Sequence, residues 1–198
     1  MVNEFVGAVM QVLVFALVPF IVWAVTARRK ESFLTWIGLR KPVCGNPLRA
    51  AAMSIAAAFV YMIVMSLCIR RLPEGITAAG SQFAGQGIQG LLSAFCYAFL
   101  RTALSEEILF RGFFLKTIQK RFGFVAGNTL QALLFGLAHG IPFGLVTKNG
   151  AVFVLLSLLP GLIGWYQGWL NEKQCGGSIL PGWLIHGCVN LITAVLSL

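Results

Sequence analysis

Six long apolar runs, parted by short polar or basic stretches, set the pattern of this chain. They cover about 5–26, 50–69, 87–115, 122–144, 151–170 and 179–198. Crossing the hydrocarbon of a bilayer takes roughly 20 apolar residues in a helix, and each run is near or above that length. The pattern predicts an all-α, multi-pass membrane bundle of about six transmembrane helices. Pro19 falls inside the first run, where a membrane helix tolerates a kink. No basic stretch precedes that run and no A-x-A-like site follows it, so it reads as an anchor and not a cleaved signal. The third run, at 1.5 Å per residue, comes to roughly 43 Å, so tilt, a kink or an interfacial end is expected. Pro160-Gly161 interrupts the fifth.

The connections refine this picture. Residues 27–49 carry Arg28, Arg29, Lys30, Arg40, Lys41 and Arg49 against Glu31. They also hold an apolar patch, 33–39, which predicts a short helix lying in the membrane interface. Arg70-Arg71 close the second run, and Pro73, Gly75, Gly80, Gly85 and Gly87 then mark a flexible loop. Loops 27–49, 116–121 and 171–177 hold ten basic residues, and the other side holds three, Arg70, Arg71 and Lys148. Positive charge stays cytoplasmic, so both termini are expected outside, with the third run entering the cytoplasm at its C-terminal end. There is no internal repeat. The expectation is one membrane domain over 1–198, with a motif-bearing core at about 87–198 and two leading spans.

Composition agrees. Of 198 residues, 58% are hydrophobic and 11% charged, with a mean hydropathy of +0.85. A soluble domain needs far less apolar sequence. The net charge of +9 is concentrated between the apolar runs, which suits anionic lipid. No aromatic-basic motif for DNA or RNA appears, so no nucleic-acid partner is expected. The five cysteines (Cys44, Cys68, Cys96, Cys175, Cys188) are widely spaced without a C-x-x-C, which points to neither a zinc knuckle nor a disulfide framework.

Against this background the ionisable residues inside the third run stand out. The chain has six acidic residues, all glutamate, and two of them are adjacent at Glu106-Glu107, followed by Arg111. A charge at membrane depth costs roughly 2.5–3.5 kcal/mol on insertion scales, so such residues tend to be functional. Glu107 and Arg111 stand four apart, with the acid N-terminal, the favourable order for pairing. Glu106 lies about 100° around the helix, without that partner. A purely structural ion pair is the plainer alternative. The two histidines of the chain, His139 and His186, also fall in apolar runs. Phe135 precedes His139 by one turn, and Asn190 follows His186 by one turn, on the same face. Gly112, Gly136, Gly140 and Gly187 flank these polar residues and allow helices to approach closely.

A carboxylate free to take a proton, imidazoles to orient and donate, and an amide to hold an oxyanion suffice for water to attack a carbonyl. At membrane depth that chemistry describes an intramembrane peptidase. Absent motifs narrow the type. There is no Asp for an aspartic protease, no H-E-x-x-H for a zincin, and no G-x-S-x paired with either histidine. Walker A and dinucleotide glycine patterns are missing too.

Glu106-Glu107-x-x-x-Arg111, Phe135-x-x-x-His139 and His186-x-x-x-Asn190, in that order, resemble the three signatures of the CAAX-protease and bacteriocin-processing family. It is also called the Abi family, or the glutamic intramembrane proteases. The resemblance covers about half the chain and includes the Gly112 that follows the arginine. It implies that Glu106 is the general base activating water, aided by His139. Glu107 and Arg111 support it, and His186 and Asn190 stabilise the oxyanion. Phe135 and Phe110 are the candidate substrate contacts. The implied substrate is a membrane-associated peptide or protein, and the implied setting a bacterial cytoplasmic membrane. Short length and two leading spans depart from the larger eukaryotic members, which remove three residues from prenylated CAAX proteins. Processing of a secreted peptide or a C-terminal sorting signal is the expectation instead. No cofactor is expected. Two other readings keep the same residues: a zinc peptidase with Glu106, His139 and His186 as ligands, and a transporter or immunity protein with a Glu–His proton relay.

Overall fold

The structure is a computed structural model that describes residues 2–69 and 79–196. Arg70, Arg71, Pro73 and Gly75 of the expected flexible loop, and the last two residues of the sixth apolar run, lie outside the described residues. Within them the elements are helical, without a strand: α1 (Val2–Thr26), α2 (Phe33–Trp36), α3 (Pro47–Ile69), a 3₁₀ turn (Ala79–Phe83), α4 (Gly87–Phe95), α5 (Lys116–Thr147), α6 (Gly150–Trp169) and α7 (Leu180–Val195). Three stretches wind as π-helix: Cys96–Leu104, Glu107–Leu115 and Leu170–Gln174.

Four helical stretches among the described residues are long and apolar enough to cross a bilayer: Val2–Thr26, Pro47–Cys68, Gly87–Thr147 and Gly150–Gln174. The protein is therefore a multi-pass, all-helical membrane protein. The 61-residue stretch takes in the third and fourth apolar runs together. It breaks at Gly123, whose φ of 82° and ψ of 166° are not helical and lie where a side chain is strained. The chain folds back there: a Cβ at Gly127 would sit 2.8 Å from the backbone nitrogen of Gln119. The sixth run forms the shorter α7, of 16 residues. Side chains such as Leu13, Leu17, Ile55 and Phe59 on α1 and α3 are exposed. Apolar faces of that extent are suited to lipid and not to water.

The chain divides into two compact units, each assembled from separate segments. The first comprises Met1–Pro42, Thr77–Phe113 and Ser178–Leu198. Here α1 and α7 both pack on the π-helical stretch Cys96–Leu104. Phe83, Ala94 and Ala194 form a buried cluster, with Tyr97 and Leu191 packed against it. α1 continues as helix through Pro19. The short helix expected in the patch 33–39 forms as a single turn, capped by Ser32, whose Oγ accepts from the Thr35 amide at 3.3 Å. Trp36 and Ile37 turn inward and are buried. Trp36 meets the Phe113 ring at 6.1 Å. Gly112 explains the close fit, since a Cβ there would stand 2.8 Å from the Ile37 carbonyl oxygen.

The second unit comprises Val43–Ile76 and Phe114–Gly177. α5 and α6 pack face to face, with Gly136 and Gly140 over Ser157, where any side chain would overlap the backbone or hydroxyl of that serine. This is the small-residue contact that lipid-embedded helices use in place of a hydrophobic driving force. Buried amides add to it. Asn128 donates to the Trp165 carbonyl at 2.9 Å, and Gln131 donates to Asn128 at 2.9 Å and to Gly164 at 3.0 Å. α6 runs through Pro160-Gly161 without the expected interruption, and Pro160 is buried. Lys116 pairs with Glu172 and donates to the Gly177 carbonyl at 2.7 Å.

The cysteines correct the sequence reading. Cys44 and Cys175, 131 residues apart, form a disulfide, while Cys68, Cys96 and Cys188 are free thiols. Spacing carries no trace of a bond that joins two distant loops. Alkylating the unreduced, denatured protein should therefore add three labels, and five after reduction, counted by intact mass. Five labels before reduction would contradict the pairing.

Candidate active site

The site is built on the helix from Gly87, and its winding matters. α4 gives way to π-helical turns at Cys96–Leu104, returns to α-helix for Ser105 and Glu106, and winds as π-helix again over Glu107–Leu115. π turns bond i to i+5, widen the helix and recur at functional sites. Here they place the first of the two glutamates at a junction between windings. Ser105, fully buried, turns its hydroxyl back to the carbonyls of Arg101 and Thr102.

The two glutamates then diverge in environment. Glu107 is sealed, with no accessible side-chain surface, and its Oε1 lies 3.3 Å from Nη1 of Arg111, which is equally sealed. The four-residue spacing is what lets the guanidinium reach it. Glu106 keeps 16% of its side chain accessible. Its Oε2 is buried and has no hydrogen-bond partner among the described residues.

α7 brings the imidazole. His186 Nδ1 lies 3.4 Å from Glu107 Oε1 in hydrogen-bonding geometry. The other edge of the same ring faces Glu106, with Nε2 3.5 Å from Oε2. One histidine thus spans both carboxylates. Two contacts hold α7 at this depth. Trp183 donates its indole N–H to the Phe99 carbonyl at 2.8 Å, and Gly187 lies so close to the Phe99 ring that any side chain would overlap it. One turn on, Asn190 donates from Nδ2 to Thr102 Oγ1 at 2.9 Å.

A second set of polar contacts joins this helix to α1. Arg101 Nη1 meets Glu4 Oε2 at 3.1 Å, and its Nε meets Gln11 Oε1 at 3.4 Å. Gln11 in turn donates to Ser105 Oγ at 3.5 Å. These contacts tie α1 to the residue next to Glu106.

The first unit therefore gathers Glu106, Glu107, Arg111 and His186, with Asn190 one turn along α7. His139 and Phe135 belong to the second unit, where His139 Nδ1 lies 2.8 Å from the Phe135 carbonyl oxygen and the two rings are 4.5 Å apart. Phe135 and Phe110, the candidate substrate contacts, are both buried. Thr102 and Trp183 are partners that the sequence reading did not single out. Thr102 stands one turn before Glu106, which is a signal only once Asn190 is known to face it. Among the described residues no three His, Cys, Asp or Glu side chains gather as a metal site requires.

Comparison with known proteins adds the decisive observation. The family described as type II CAAX prenyl endopeptidase Rce1-like matches residues 88–192, just over half of the chain. The chain belongs to this family. The matched segment runs from the start of α4 into α7 and contains every residue of the three motifs. No curated protein and no solved structure matches the chain. Membership in a family of membrane endopeptidases supports protease activity and disfavours the transporter reading.

Replacing Arg111 tests the sealed pair. Arg111→Met leaves the Glu107 carboxylate buried without its counter-charge, and breaking a buried pair from one side costs about 3–5 kcal/mol. A large drop in the thermal midpoint in detergent is expected, partly restored in Arg111→Lys. An unchanged midpoint would mean that the pair contributes nothing to the fold.

Proposed function

We propose that this protein is a glutamate-dependent intramembrane endopeptidase, in which Glu106 takes a proton from water as the water attacks a peptide carbonyl. The observation that carries this reading is His186, placed between one sealed and one accessible carboxylate. Glu107, paired with Arg111, accepts from His186 and so draws the ring proton to Nδ1. That tautomer leaves Nε2 facing the otherwise unpartnered Glu106 Oε2. A proton removed from water can then be shared between Glu106 and Nε2 and handed to the leaving amine. The tetrahedral oxyanion is met by an N–H of Asn190. His139 assists the water in the role the family motifs imply.

The substrate class is a membrane-associated peptide or protein. Processing of a secreted peptide or of a C-terminal sorting signal, in a bacterial cytoplasmic membrane, is the setting we propose. The proposed mechanism assigns no step to zinc, and chelation separates it from the zinc peptidase with Glu106, His139 and His186 as ligands.

Quantitative peptide analysis of membranes from cells expressing wild-type or Glu106→Gln protein tests this directly. Products that depend on Glu106 should fall by about 10²- to 10⁴-fold, the range for loss of a positioned base. Cleavage that persists in Glu106→Gln would remove the mechanism. Phenanthroline treatment of the same membranes should leave the products unchanged. Loss on chelation and return with zinc would establish the metal alternative.

A further inference from the structure

A carboxamide looks nearly the same in either of its two orientations, and only its partners decide which end points where. At Asn190 the partner is the Thr102 hydroxyl, which has one hydrogen and two lone pairs. Thr102 Oγ1 lies 3.0 Å from the Ala98 carbonyl and 3.0 Å from the Tyr97 carbonyl, so its hydrogen is directed into its own helix. The Tyr97 contact is to the residue five back, the register of the π turn. With its hydrogen committed, Oγ1 can only accept. Only the Nδ2 end of Asn190 can therefore face it, at 2.9 Å. One N–H is used, Oδ1 is turned away from Thr102, and the second N–H is left to donate elsewhere.

We propose that Thr102 is a positioning residue: by accepting from Asn190 Nδ2 it fixes the carboxamide so that the second N–H is held for the developing oxyanion. This rests on the peptidase reading above. Thr102 touches neither substrate nor water in this scheme and acts through Asn190. Valine has the same shape but no acceptor, so Thr102→Val frees the amide to rotate or flip. Thr102→Ser keeps the oxygen and the internal hydrogen bond.

The test measures Glu106-dependent products, per amount of folded enzyme, in membranes carrying wild type, Thr102→Ser, Thr102→Val, Asn190→Ala or the Thr102→Val/Asn190→Ala double variant. Thr102→Val should slow cleavage by roughly tenfold to a hundredfold, as expected for a displaced oxyanion donor. Thr102→Ser should restore most of the rate. The double variant should be no slower than Asn190→Ala alone, because a residue that works through Asn190 has nothing left to position. Should Thr102→Val not accumulate, Thr102→Ala takes its place. If neither folds while Thr102→Ser does, the role is structural and the proposal is overturned. It is also overturned if Thr102→Val cleaves at the wild-type rate while Asn190→Ala is impaired, an outcome that leaves the peptidase reading intact. Full activity in Asn190→Ala removes the oxyanion role of Asn190 and this inference with it, and Glu106-independent cleavage removes the peptidase reading itself.

Discussion

A charge that cannot reach water must be met by another charge, and this demand at Glu107 organises the first unit. Glu107 and Arg111 have no accessible side-chain surface, and each would be costly to bury alone. Their union fixes the helix face on which they lie, and that face receives His186. The contact between Gly112 and the Ile37 carbonyl then closes the chain over the turn that carries Arg111. An arrangement this expensive to disturb holds an imidazole in place better than a hydrogen bond to a mobile partner could.

The two adjacent glutamates serve different ends because their surroundings differ. One is sealed and paired. The other is open to a small extent, and its inner oxygen faces His186 Nε2. The π-helical winding on both sides sets this division, since it turns neighbouring side chains through different angles from an α-helix. It also lets Thr102 reach the carbonyl five residues back while presenting its lone pair to Asn190. The second unit uses its polar residues differently: Asn128 and Gln131 hold α5 against α6 through backbone carbonyls. Polar groups in lipid can be adhesive or catalytic, and their partners tell which.

The helices and their membrane setting are legible in the sequence because one rule, apolar length, governs both. The fourth run, beginning at Phe122, anticipates the break at Gly123 within a residue. The Glu107–Arg111 pair is legible from its four-residue spacing, and the family from three motifs taken together. Other features leave no such trace. A change from α to π winding alters hydrogen-bond register but not hydropathy. The single turn at Phe33–Trp36 faces inward because Gly112 offers it space, which no local pattern records. That His186 spans both glutamates depends on where α7 sits, and Trp183 and Gly187 set that position. The Cys44–Cys175 bond also bears on orientation: the basic loops that hold it read as cytoplasmic by charge, whereas lasting disulfides belong to oxidising compartments.

The account stands or falls on the bridging imidazole. With two histidines in the chain, selective ¹⁵N labelling of histidine and ¹³C labelling of glutamate carboxyl carbons makes the contact accessible to solid-state NMR in lipid. Dipolar recoupling should show both ring nitrogens of His186 near a carboxyl carbon, and Glu106→Gln without the label at that position should silence Nε2 alone. A His186 ring coupled to no carboxyl carbon would contradict the site described above.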